Sequence, residues 1–303
     1  MVDIAGLNSR HGIAGQVVFR EGAGGLALME VSNGQASAGI ALQGAHLMTW
    51  TPRQGRPVIW LSGAAKLAAG KSIRGGVPVC WPWFGPHPGE VAFPAHGFAR
   101  TSAWEVVETT ALDDERTRVV FRLPRTPATQ AQWPHPSELE YRITVGATLE
   151  LDLVTRNTGD APFTLGAALH TYFAVSDIRH IAIRGLEACD YLDKVDAGRR
   201  KQQSGPVTFS GETDRIYLDT DADVLIEDPG WQRRIRIAKG GSRSTVVWNP
   251  WIEKADRMGD LGEEGYLSMV CVETANAADD VVTVMPAAEH HLWTRFSVES
   301  LDA

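Results

Sequence analysis

Hydrophobic and polar residues alternate with a period of two along most of this chain. In residues 140–145 (EYRITV) the side chains of Tyr141, Ile143 and Val145 share one face. In residues 148–153 (TLELDL) Leu149, Leu151 and Leu153 do the same, with Glu150 and Asp152 opposite. This period marks half-buried strands, because successive side chains on a strand point to opposite faces. Gly146-Ala147 between the two runs predicts a tight hairpin. Comparable runs lie at 16–20, 26–32, 104–109, 116–123, 233–237, 244–248, 267–274, 281–284 and 290–298, most of them bounded by turn residues. Only residues 62–69 (SGAAKLAA) and a short piece after Pro250 read as helical. Many short strands without βαβ spacing predict an all-β fold, a large antiparallel sandwich with few short helices. The polar stretches 124–137 and 197–206 read as surface excursions, and no low-complexity linker divides the chain. A single domain over residues 1–303 is therefore expected.

Composition narrows the function classes. With 44% hydrophobic and 22% charged residues, the 303-residue chain has the balance of a globular protein. A formal net charge of −8 argues against nucleic acid as a bulk electrostatic partner, although local positive charge can still hold a small anion. The first residues, MVDIAGLNSRHGIAG, show no basic segment leading into an apolar one, and no apolar run approaches a membrane span. A cytoplasmic protein without membrane contact is expected, with monomer as the default state. Cys80, Cys189 and Cys271 are scattered and odd in number. They read as small buried residues rather than as disulfides or a zinc site. The tandem His290-His291 would point to opposite faces of a strand and cannot share an ion. There is no phosphate or dinucleotide loop and no nucleophile elbow. Neither a metal nor a cofactor is expected.

The candidate chemistry concentrates between Arg74 and Arg100, RGGVPVCWPWFGPHPGEVAFPAHGFAR. Glycines and prolines stop helix and strand here, which suits a functional surface. The guanidinium fork of arginine suits anionic oxygens, and tryptophan faces suit the apolar faces of sugars or bases. The plainer reading has the tryptophans staple a long loop to the core, which leaves the arginines unexplained. His170 lies in an apolar run, LGAALHTYF, where a lone histidine is ordinarily a hydrogen-bonded core residue. Glu273 lies in LSMVCVET and is harder to dismiss, because a buried carboxylate needs a partner or a raised pKa. Asp214-Arg215 after a Gly-Glu-Thr turn reads most simply as an exposed ion pair at a strand start.

These residues also carry a family resemblance. The segments IRGGVPVCWPWFG, HGFAR, LHTYF, ETDRIY, WNPW and MVCVETAN occur in this order across roughly residues 40 to 290. Together they resemble the hexose-6-phosphate mutarotases, the glucose-6-phosphate 1-epimerase branch of the aldose 1-epimerase family. The resemblance implies a galactose mutarotase-like β-sandwich and an isomerase that interconverts the anomers of a hexose 6-phosphate without a cofactor. It implies that His170 is the general acid and Glu273 the general base. It assigns His96 and Asp214 to sugar hydroxyls, Arg74 and Arg100 to the phosphate, and Gln43 to the pocket lining; for His46, three residues on, a structural role and a place in the lining both stay open. Glu273 is expected to start ionised and His170 protonated. The rivals are a mutarotase of unphosphorylated aldoses, which would not need both arginines, and a non-catalytic sugar-binding protein, which would not need both His170 and Glu273. A glycoside hydrolase would want two carboxylates flanking the bond.

Overall fold

The computed structural model of the protein describes residues 2–301. Two eight-stranded sheets dominate it. The back sheet runs in the order Ala182–Arg184, Val224–Asp228, Arg233–Gly240, Glu289–Ser300, Leu149–Asn157, Ser137–Val145, Thr117–Arg122 and Glu105–Ala111. The front sheet runs Arg199–Gln202, Asp190–Asp193, Thr213–Tyr217, Ser244–Asn249, Met269–Asn276, Ala167–Leu169 and Val79–Cys80, with Tyr172–Ala174 also paired to Met269–Asn276. An N-terminal meander of Val17–Glu21, Ala27–Ser32, Ala36–Ala41 and His46–Pro52 adds a four-stranded sheet. The pairings are antiparallel throughout both large sheets, as strands without crossover helices require.

The alternating runs land where their period predicts. Residues 140–145 and 148–153 form the hairpin Ser137–Val145/Leu149–Asn157, with Tyr141 opposite Leu153 and Val145 opposite Leu149. Leu139, Tyr141, Ile143, Val145, Leu149, Leu151 and Leu153 on its inner face are all buried. They join one hydrophobic cluster that extends from Leu7 to Phe296 and includes residues of both large sheets and the meander. Trp50 of the meander is fully buried, and its indole N–H donates to the Gly146 carbonyl at 3.3 Å, tying meander to back sheet.

Three expectations need correction. Residues 62–69 are not helical. Ser62 Oγ accepts from Ala64 N–H and donates to the Asp260 carbonyl, while Leu61, Ala65 and Leu67 pack on a satellite cluster with Leu26, Leu28, Met48 and Ile73. An eight-residue stretch is too short to hold a helix against such tertiary contacts. The polar stretch 124–137 contains the helix Pro127–Gln132, capped by Thr126. The stretch 197–206 supplies an edge strand, Arg199–Gln202, paired to Asp190–Asp193. The helix expected after Pro250 is Trp251–Met258. A further helix, Ile4–His11, is capped by Asp3, which accepts from Gly6 N–H at 2.9 Å. Among the described residues no helix is long and apolar enough to cross a membrane.

Candidate active site

One face of the front sheet, with Val247, Val272 and Tyr217, packs into the core. The other opens into a cleft of about 640 Å³. Its floor is apolar: Ile216 and Val246 belong to a small cluster with Cys80, Ala168 and Ala275. Trp248 and Tyr172 wall one side, their rings edge to face at 6.0 Å.

Strand pairing brings the acid/base candidates together. Leu169 pairs with Thr274 and Tyr172 with Cys271. His170, in the gap between those pairs, therefore stands across from Glu273, and His170 Nε2 lies 3.3 Å from Glu273 Oε1. His170 also stacks on Tyr172, with ring centroids 5.0 Å apart and planes 10° from parallel. Glu273 is 1% exposed. Glu273 Oε2 and His170 Nδ1 are buried with no hydrogen-bond partner. Buried polar atoms left unpaired are costly, and they are expected where a ligand completes the bonding.

Burial also sets the charges. Desolvation, then the charges of His96, Arg100 and Arg74, drives the His170 pKa well below its ordinary value. Desolvation, then the Asp214 carboxylate, drives Glu273 well above its own, with Arg100 opposing in part. Burial therefore works against the expected starting state, carboxylate and imidazolium. It pushes instead toward the neutral pair, carboxylic acid and imidazole. Both states hold the same single proton, and transfer across the 3.3 Å contact interconverts them.

His96 is placed by its neighbour. Gly97 sits at φ +73°, and a Cβ there would lie 1.9 Å from the Trp81 carbonyl oxygen. Only glycine lets this segment dock on Trp81, where Phe98 N–H donates to that carbonyl at 3.1 Å. His96 Nδ1 accepts from Gly85 N–H at 3.3 Å. Burial, then Arg100, pushes its pKa down to about 4, and with Nδ1 accepting, the neutral ring carries its proton on Nε2. Arg100 also lines the cleft and donates from Nη2 to the Ala95 carbonyl at 2.8 Å. Arg74 reaches the cleft from the other end of the segment, paired with Asp260 at 3.0 Å. Burial works against its charge, and Tyr172 and Asp260 more than offset that, so its pKa is raised. Asp214 lines the cleft 4.0 Å from Lys254 Nζ, and burial raises its pKa.

Gln43 does not line this cleft. Its amide braces the loop after residue 67, donating to the Ala68 and Lys71 carbonyls and accepting from Gly70 N–H. His46 is structural: Nε2 meets the Gly75 carbonyl at 2.9 Å, and burial holds its pKa down at about 4. Trp81 and Trp83 follow the plainer reading. They are buried, and their N–H groups donate to Thr155 Oγ1 and the Pro94 carbonyl. Sequence reasoning missed Tyr172, Trp248, Lys254 and Asp260. Tyr172 shares a face with His170 two residues away and Trp248 begins WNPW, so both left a signal; Asp260 left none.

Comparison with known proteins places this architecture. A model of the family described as Aldose 1-epimerase matches residues 27–297. A protein of Escherichia coli (strain K12), provisionally named glucose-6-phosphate 1-epimerase, is 39% identical over 255 residues, covering 84% of each chain. A Salmonella typhimurium protein with the same provisional name is 39% identical over 253 residues, covering 83% of this chain and 84% of the relative. A crystal structure from Salmonella typhimurium, provisionally described as a mutarotase, superposes with a TM-score of 0.88 at 35% identity over 94% of both chains.

Proposed function

This chain belongs to the aldose 1-epimerase family, and on that premise we propose that it interconverts the α and β anomers of a hexose 6-phosphate, with glucose 6-phosphate as the leading substrate. The enzyme is an isomerase of the epimerase type. The observation that carries the mechanism is the buried pair itself: Glu273 and His170 face each other at 3.3 Å in the cleft, each with one atom unpartnered. Proton transfer within the pair yields the carboxylate and the imidazolium. Glu273 then takes the proton from the C1 hydroxyl while His170 protonates the ring oxygen, and the ring opens. Rotation about C1–C2 turns the other face of the aldehyde toward the C5 hydroxyl. Closure returns both protons with the roles exchanged. His96 Nε2–H and Asp214 bind sugar hydroxyls, and Arg74 and Arg100 bind the phosphate. We further propose a single domain over residues 1–303 that acts as a monomer in the cytoplasm.

Glu273→Gln tests the mechanism, since it keeps the shape and removes the base. Anomer exchange of glucose 6-phosphate, followed by magnetisation transfer, should fall by about 10²–10⁴-fold with substrate binding retained. Exchange near the wild-type rate would remove Glu273 from the chemistry.

A further inference from the structure

Arg74 does not enter the cleft as a free side chain. Its Nε donates to Asp260 Oδ1 at 3.0 Å, its Nη2 to Asp260 Oδ2 at 3.4 Å and its Nη1 to the Tyr172 hydroxyl at 2.9 Å. A guanidinium carries five N–H groups, so two remain, one on each terminal nitrogen. That is the bidentate set a phosphate takes. Asp260 is itself anchored, since its carbonyl accepts from Ser62 Oγ at 2.7 Å. Ser62 N–H in turn donates to the Arg74 carbonyl at 3.2 Å. Backbone and side chain together close residues 62–74 and the turn at 259–262 around one guanidinium. The side chains of Arg74 and Asp260 are only 25% and 19% exposed, so the pair is shielded from solvent.

We infer that Asp260 is a positioning residue for the anionic end of the substrate: with Tyr172 it holds the Arg74 guanidinium in one orientation, leaving two N–H groups for phosphate oxygens beside His170. The inference rests on the phosphosugar reading above. A long side chain already held in its binding orientation loses little freedom when the ligand arrives, which is the source of the gain in affinity. A carboxylate so close could instead act only as a competitor for the arginine, and the two roles predict opposite signs.

Asp260→Asn, Arg74→Ala and the double variant separate them, with kcat and KM measured for glucose 6-phosphate and for free glucose. Under the positioning role Asp260→Asn raises KM for glucose 6-phosphate about 2- to 12-fold, the cost of ordering one long side chain. It leaves kcat and the free-glucose parameters unchanged, and the double variant is no worse than Arg74→Ala alone. Tyr172→Phe keeps the ring against His170, removes one acceptor, and shifts KM the same way. A lowered KM in Asp260→Asn, equal losses on both sugars, or additive losses in the double variant would overturn the role. If Arg74→Ala abolishes the preference for the phosphorylated sugar while Asp260→Asn and Tyr172→Phe do nothing, positioning alone fails. If Arg74→Ala leaves that preference intact, the phosphosugar reading falls and takes this inference with it.

Discussion

Glu273 is sealed in a front-sheet strand with one oxygen unpartnered, and its pKa stands well above the ordinary carboxylate range. An unfolded glutamate ionises near about 4.3. From there up to the raised folded value, the native state holds a proton that the unfolded state has released, so the stability this group contributes is lost as pH rises. Glu273→Gln carries no such proton. The variant should be more stable than the wild type at pH 7 to 8, with a gap in denaturant unfolding that widens as pH rises from about 5. A constant or absent gap would contradict the raised pKa. His46 and His96 act on the acid side. Their folded pKa values of about 4 lie below the usual 6.5, so their contribution is present above pH 6.5 and lost as pH falls toward 4. The loss should approach about 1.4 kcal/mol per pH unit for each ring. At the same scale, Arg100 donates to one carbonyl and pairs with no carboxylate among the described residues. Charge-assisted bonds contribute about 1.5–3 kcal/mol each, so Arg100→Ala should cost about 10- to 150-fold in kcat/KM for glucose 6-phosphate and little for free glucose. Equal losses on both would favour a mutarotase of unphosphorylated sugars.

Elements rather than single side chains place these groups. The irregular segment from Arg74 to Arg100 docks on the front sheet through Val79–Cys80, and its return leg docks through Gly97 on Trp81. His96 and Arg100 stand on either side of that contact, so they should move together when it is disturbed. Gly97→Ala puts a methyl 1.9 Å from the Trp81 oxygen at a φ of +73°. The segment must shift, and kcat/KM should fall on phosphorylated and free sugar alike, together with a lower thermal midpoint. A loss confined to the phosphorylated sugar would mean that Arg100 moves independently of His96. Residues 62–69 teach the related lesson that helix propensity over eight residues yields when flanking groups are bonded elsewhere.

At the scale of the whole molecule, the core lies behind the sheet that carries the cleft, so it can be disturbed without touching the cleft residues. Trp50→Ala empties a fully buried site and breaks the N–H bond to Gly146. The expected cost is about 3–5 kcal/mol, read as a lower thermal midpoint, with kcat/KM of the folded fraction unchanged. A changed kcat/KM would show that the meander supports the site directly. The β-sandwich was legible in the sequence because alternation is imposed locally by the strand backbone: Tyr141, Ile143 and Val145 had to share a face whatever they packed against. Glu273 was legible for a similar reason, since a carboxylate in an apolar run demands an explanation. The strand 199–202 was not, because a sheet edge stays polar and reads as loop. Nor could spacing reveal that Arg74 meets Asp260 186 positions away, or that Gln43 braces a loop outside the cleft. The charge of the Glu273–His170 pair lay furthest from the sequence, because a proton's position depends on how much water the fold excludes, and burial exists only once the distant strands have paired.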